Sequence, residues 1–313
     1  MSRHQKRANK NAVQYIHRVV KSAGSGGAGD LTEGKIFFVG TATVIMQYAG
    51  FTIMTDPNFL HKGDSVHLGY GIHSKRLTNP ALELEEVPKV DFVLLSHLHE
   101  DHFDRIVMRK LARTTPIVTT PEAAATLKKK GFKTVYPLKT WESFILERGA
   151  VQLKVTAMPG KHARGRLAGL LPPVMGSMLE FQQVATEETL MRLYISGDTI
   201  YMHDLTAIPL RYPDIDLGLF HLGGTRIMGL LVTMDAKQGL KAFQLINPRI
   251  GIPIHYNDYT AFKSPLKDFQ HAVEKAKLTS RMHYLAHGDT YTFTVPSERL
   301  AAVYAPAQTH EKK

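Results

Sequence analysis

The segment His97-Leu98-His99-Glu100-Asp101-His102 places three imidazoles and the Asp101 carboxylate within six consecutive residues. It follows the run Val90-Asp91-Phe92-Val93-Leu94-Leu95-Ser96, which is short, partly β-branched and ends abruptly in polar residues, as a buried strand does. Imidazole and carboxylate are the ligands that suit divalent zinc, iron or manganese. Crowding four such groups together without a cation costs desolvation for no return, so the segment predicts a metal site at a strand end. The bland alternative is a solvated, histidine-rich turn.

Three further strand-like runs end the same way. Val151 to Met158 alternates apolar and polar residues, is broken by Pro159-Gly160, and leads to His162. Leu190 to Ile195 leads through Ser196-Gly197 to Asp198, and Arg249 to Ile254 leads to His255. Strand ends on one rim of a sheet are where side chains from distant segments converge. Because these positions run from His97 to His255, no cut between them leaves the site whole. The expected organisation is therefore a basic N-terminal tail over residues 1–30, flexible at its Gly/Ser-rich end, and one catalytic domain over 31–305.

These residues resemble the metallo-β-lactamase superfamily, whose signature is His-x-His-x-Asp-His followed by a separate His, an Asp and a last His. Further matching pieces are Val39-Gly40-Thr41-Ala42-Thr43-Val44, Met54-Thr55-Asp56-Pro57-Asn58-Phe59, Pro159-Gly160-Lys161-His162, Ser196-Gly197-Asp198-Thr199 and Ile254-His255-Tyr256. They look most like the branch that holds N-acyl-phosphatidylethanolamine phospholipase D and the ascorbate-6-phosphate lactonases. Thr41 departs from the pattern, standing where many of these relatives carry a His. The resemblance runs from about Gly34 to about Thr294 and implies an α/β (α+β) fold, a four-layer αββα sandwich.

By the same resemblance, His97, His99 and His162 bind one metal, Asp101, His102 and His255 bind a second, and Asp198 bridges them. Two divalent ions are implied, zinc by default, with manganese or iron compatible with nitrogen and oxygen ligands. The chain has no cysteine, which excludes a thiolate zinc site, a disulfide framework and an ordinary Fe–S cluster. Water held between two such ions is acidified from about 15.7 to near 7, which predicts a hydrolase that uses a metal-bridging hydroxide. Asp101 is the expected catalytic residue, holding that water and accepting its proton. Asp56 is expected either to orient a ligating histidine from behind or to cap the turn before Pro57. Candidate substrate contacts are His67 and His73 in the long Gly-rich stretch 61–79, Arg164 and Arg166 beside His162, and His221 at the end of another apolar run.

A net charge of +11 favours a small anionic substrate, although Arg3, Lys6, Arg7, Lys10, Arg18 and Lys21 all lie in the tail. A phosphodiester ranks slightly ahead of a lactone or related cyclic ester. A diiron redox protein or an RNA-processing nuclease is the alternative from another class. Nucleic acid is argued against by the lack of any interleaved basic and aromatic stretch. Val13, Ile16, Val19 and Val20 fall at near-helical spacing, predicting a short amphipathic helix docked on the domain or at a membrane surface. The first residues show no uninterrupted apolar h-region or small-residue cleavage site and the sequence no run of roughly 18 apolar residues, so the expectation is a cytoplasmic protein without a secretory signal or transmembrane segment, its homo-oligomeric state open.

Overall fold

The computed structural model describes residues 16–21, 29–68, 73–163, 171–227 and 229–304. In chain order the first strands are β1 (Ile16–Lys21), β2 (Glu33–Gly40), β3 (Thr43–Tyr48), β4 (Phe51–Thr55), β5 (Ser65–His67), β6 (His73–Lys75), β7 (Phe92–Leu94), β8 (Ile117–Thr119) and β9 (Val135–Pro137). They are followed by β10 (Ser143–Arg148), β11 (Val151–Met158), β12 (Gly176–Gln183), β13 (Thr189–Ile195), β14 (Leu217–His221), β15 (Arg226–Ile227), β16 (Leu230–Leu231), β17 (Ile250–Ile254) and β18 (Thr290–Thr294). The helices are α1 (Arg105–Lys110), α2 (Pro121–Lys129), α3 (Ala207–Arg211), α4 (Ala236–Ile246), α5 (Leu266–Lys275) and α6 (Ser297–Tyr304).

Two seven-stranded mixed sheets result, ordered β1-β10-β11-β12-β13-β14-β17 and β18-β2-β3-β4-β7-β8-β9. Their inner faces share one core: Phe38, Val44, Ile53 and Phe92 of the second sheet meet Phe144, Val155, Leu179 and Leu219 of the first. The outer faces are apolar as well, because each sheet carries helices there. Phe243 and Ile246 of α4 and Phe269 of α5 cover Tyr194 and Phe220, while Val107 of α1 and Ala124 and Leu127 of α2 cover Met54 and Val93. The expected αββα sandwich is the architecture observed. Strands buried on both faces read as continuous apolar runs, which is why β7 and β14 show no alternation.

One expectation is corrected. Ile16–Lys21 forms a strand, not an amphipathic helix, and pairs in parallel with β10 at the edge of the first sheet. Ile16, Val19 and Val20 are β-branched, and an open sheet edge offers their backbone a ladder that outweighs a near-helical spacing of four residues. The Gly/Ser-rich stretch at 22–28 and the chain after 304 lie outside the described residues. The stretch 61–79 holds the two-stranded hairpin β5–β6. Among the described residues no helix is long and apolar enough to cross a membrane.

Direction of chain is what brings the site together. β13, β14 and β17 run parallel to one another, and β11 joins them by two successive antiparallel pairings through β12. All four therefore end on the same rim. In the facing sheet β4 and β7 are parallel and end there too.

Candidate metal centre

Each chemically active side chain sits on the turn just past one of those strand ends. After β7, Leu95 and Ser96 lead to His97, and a tight turn in which the His102 and Phe103 amides donate to the His99 carbonyl (3.0 and 2.9 Å) brings Asp101 and His102 back to the rim. After β13, Gly197 takes a left-handed φ of +60°, and a Cβ there would stand 2.5 Å from the Met175 carbonyl oxygen. Only glycine fits that turn, and the turn delivers Asp198. His255 follows β17 with φ +61°, a conformation rare for a histidine.

Two groups converge. Ligand atoms of His97, His99 and His162 lie within 4.8 Å of one another, and so do those of Asp101, His102, Asp198 and His255. Asp198 Oδ2 is 3.1 Å from His102 Nε2, and its Oδ1 is 3.6 Å from His255 Nε2. Asp101 Oδ2 faces the same two rings at 3.8 and 3.4 Å.

The ring nitrogens turned away from the cluster are held by acceptors. His162 Nδ1 meets the Val232 carbonyl at 3.2 Å, His255 Nδ1 the Leu222 carbonyl at 3.1 Å, and His102 Nδ1 the Asp56 carboxylate at 3.2 Å. Such partners place the proton on Nδ1 and leave the Nε2 lone pair for a cation. The inward atoms His102 Nε2, His162 Nε2, His255 Nε2, Asp101 Oδ1 and Asp198 Oδ1 are buried without a hydrogen-bond partner. Burying that many polar atoms unpaired is costly, and divalent cations would compensate all of them together. The residues present thus fit bound metal.

Electrostatics divides the two groups. Burial and the neighbouring rings depress His97, burial with the His162 ring takes His99 down to about 4, and burial also lowers His162, so this set is neutral and ligand-ready. Burial also disfavours charge on His102 and His255, yet Asp198 and Asp101 override it and raise both. Protons on those two rings occupy the electrostatic role that a second cation would take over.

Asp56 lies behind the cluster with φ +34°, its Oδ1 accepting the Ser96 amide at 2.6 Å and its Oδ2 facing His102. Glu100 turns outward to Arg105 and to the His67 amide. His67 and His73 stand opposite each other on the β5–β6 hairpin, exposed, with ring centroids 4.9 Å apart. Arg164 and Arg166 lie outside the described residues.

His221, expected as a substrate contact, is fully buried beside the cluster, 3.8 Å from Asp56 Oδ2 and 3.9 Å from Asp198 Oδ1, and does not line the pocket in front of it. The fastening role of Ser96 was missed. Its hydroxyl lies 3.0 Å from His97 Nδ1, accepts the His221 amide and donates to the Gly197 carbonyl, tying three of the turns together. Its position immediately before His97 was the available signal.

A narrow pocket opens in front of His99, Asp101, His162 and Asp198, walled by Leu68, Leu171, Ile227 and Val232 with Thr225 and Thr233. Among the described residues no cationic side chain lines it.

Comparison with known proteins accords with this geometry. Residues 52–256 match the family model described as the beta-lactamase superfamily domain. A UPF0173 metal-dependent hydrolase of Caldivirga maquilingensis is 24% identical over 263 residues, 84% of this chain and 99% of the relative. Another from Nanoarchaeum equitans is 27% identical over 195 residues, 61% of this chain and 81% of the relative. Among solved structures, an isothiocyanate hydrolase from Delia radicum gut bacteria superposes with a TM-score of 0.69 at 19% identity, covering 83% of this chain and all of that one.

Proposed function

The chain belongs to the beta-lactamase superfamily as a metal-dependent hydrolase, and from that premise we propose that it cleaves an ester at a two-metal centre. His97, His99 and His162 would hold one ion, Asp101, His102 and His255 the other, and Asp198 would bridge them. The observation that carries this is the set of buried, unpartnered nitrogen and oxygen atoms aimed into one small volume. Zinc suits that nitrogen and oxygen donor set. Bound there, such ions supply an acidified water and polarise the oxygen of the scissile group.

The chain's own residues do the rest. Asp101 offers two distinct oxygens: Oδ2 faces His255 and His102, while Oδ1 has no protein partner. It also lines the pocket, so Oδ1 is placed to orient a water and take its proton. Asp56 holds the His102 ring from behind. The aliphatic wall excludes water and receives an apolar part of the substrate.

The net charge and the phospholipase-like flanking residues favour a phosphodiester, while the aliphatic pocket wall supports a neutral substrate. Four aliphatic side chains and two threonines suit a neutral lactone or related carboxylic ester better than an anion. A phosphodiester is the second reading, supported by the net charge of +11.

Metal content by elemental mass spectrometry, run beside hydrolysis of a generic lactone and a generic phosphodiester, tests both. The expected result is two zinc per chain with the lactone turned over faster. Faster phosphodiester turnover would favour the second reading. Iron, or less than one metal per chain, with neither ester cleaved would sink the proposal.

A further inference from the structure

Three residues past His255 in the chain, Asp258 takes part in an ion pair that the two-metal reading does not use. Asp258 is buried and gathers three donors. Its Oδ2 accepts the Thr41 amide at 2.7 Å, while its Oδ1 accepts the Thr78 hydroxyl at 2.5 Å and lies 3.1 Å from His287 Nε2. His287 Nδ1 lies 3.2 Å from the Asn79 carbonyl. Both partners of this ring are acceptors, an arrangement that favours a proton on each nitrogen. Burial works against that charge, but the Asp258 carboxylate overrides it and raises the ring's pKa; His287 in turn holds Asp258 down.

Thr41 connects this pair to the centre. Its amide is the one Asp258 holds, and its carbonyl accepts the His255 amide at 2.6 Å. Thr41 and His255 both take left-handed backbone conformations, at φ +53° and +61°. Such conformations are strained in a residue with a side chain and persist only where surroundings over-determine them. The packing is tight: a Cβ on Gly40 would stand 3.0 Å from His287 Cε1.

We propose that the Asp258–His287 ion pair is a latch that fixes the Thr41 backbone and, through it, the left-handed turn that aims His255 at the second cation. Asp258 and His287 are then positioning residues, since neither reaches the pocket or the cluster. The inference rests on His255 being a ligand.

The test is zinc affinity of the metal-stripped full chain, measured by competition with a chromophoric chelator, together with its melting temperature. His255→Ala identifies which of the two wild-type affinities belongs to the second site. In His287→Gln that affinity falls about 10–100-fold, the range for residues that orient a metal ligand, while the first-site affinity holds; the metal-free melting temperature drops as well, because Asp258 is left buried without its partner. Asp258→Asn gives a larger loss at the same site, and if it does not fold, His287→Gln decides alone. Unchanged affinities in His287→Gln, or both affinities falling together, overturn the latch. A wild-type chain that takes up only one zinc overturns the two-metal reading, and the latch with it.

Discussion

Asp198→Ala is expected to hold at most one metal ion per chain and to lose at least about a hundredfold in ester hydrolysis, since residues merely behind a ligand already cost 10–100-fold. Asp198 is the side chain that both rings of the second group face: His102 Nε2 at 3.1 Å and His255 Nε2 at 3.6 Å. It also lines the pocket together with His99 and His162 of the first group. Removing its carboxylate takes away negative charge that favours a cation between the two rings, so the second group loses its hold on metal. Elemental analysis and steady-state kinetics on the same sample check this. Two metals per chain in the variant would show that Asp198 is not the bridge. Asp198→Asn keeps the shape without the charge and should retain more metal than Asp198→Ala.

Asp104→Ala is expected to lower stability by about 3–5 kcal/mol, because it strips partners from several buried amides at about 1–3 kcal/mol each. The Asp104 side chain caps α1, accepting the Ile106 and Val107 amides at 2.7 and 2.8 Å. Its other oxygen accepts the Phe59 amide and, at 3.0 Å, the Leu60 amide. One carboxylate thus joins the turn after β7 to the segment after β4. Against a net stability of roughly 5–15 kcal/mol for a domain, such a loss is large. Urea denaturation followed by circular dichroism gives the number, and a midpoint within experimental error of wild type would refute the assignment. Burial pushes the Asp104 carboxyl up despite its four donors. Asp104→Asn, which keeps an acceptor and drops the charge, should accordingly be the milder change.

Much of this arrangement could be read from the chain before any coordinates. The turns at His97, His162, Asp198 and His255 announce themselves because a ligand-type residue follows an apolar run each time. That is a local signal, and the fold brings these residues together on one rim. What stayed hidden depends on direction or on distant partners. His221 ends an apolar run just as the others do, yet its ring is buried and does not line the pocket, because a strand end specifies a location and not an orientation. Residues 16–21 became a strand because β10, more than a hundred residues further on, offers an edge. The link from Asp258 to His255 passes through the backbone of Thr41, and backbone bonds leave no trace in side-chain identity.

Each group of candidate ligands draws on both sheets. His97, His99, Asp101 and His102 follow β7 of one sheet, while His162, Asp198 and His255 follow β11, β13 and β17 of the other. An ion bound by either group is therefore a rivet through the two halves of the sandwich. A ligand that binds only the folded chain adds about 2.7 kcal/mol of stability at a hundredfold excess over its dissociation constant. Catalytic competence and resistance to unfolding would then rise and fall together with free metal, so a chain starved of metal loses its chemistry and its fastening in the same event.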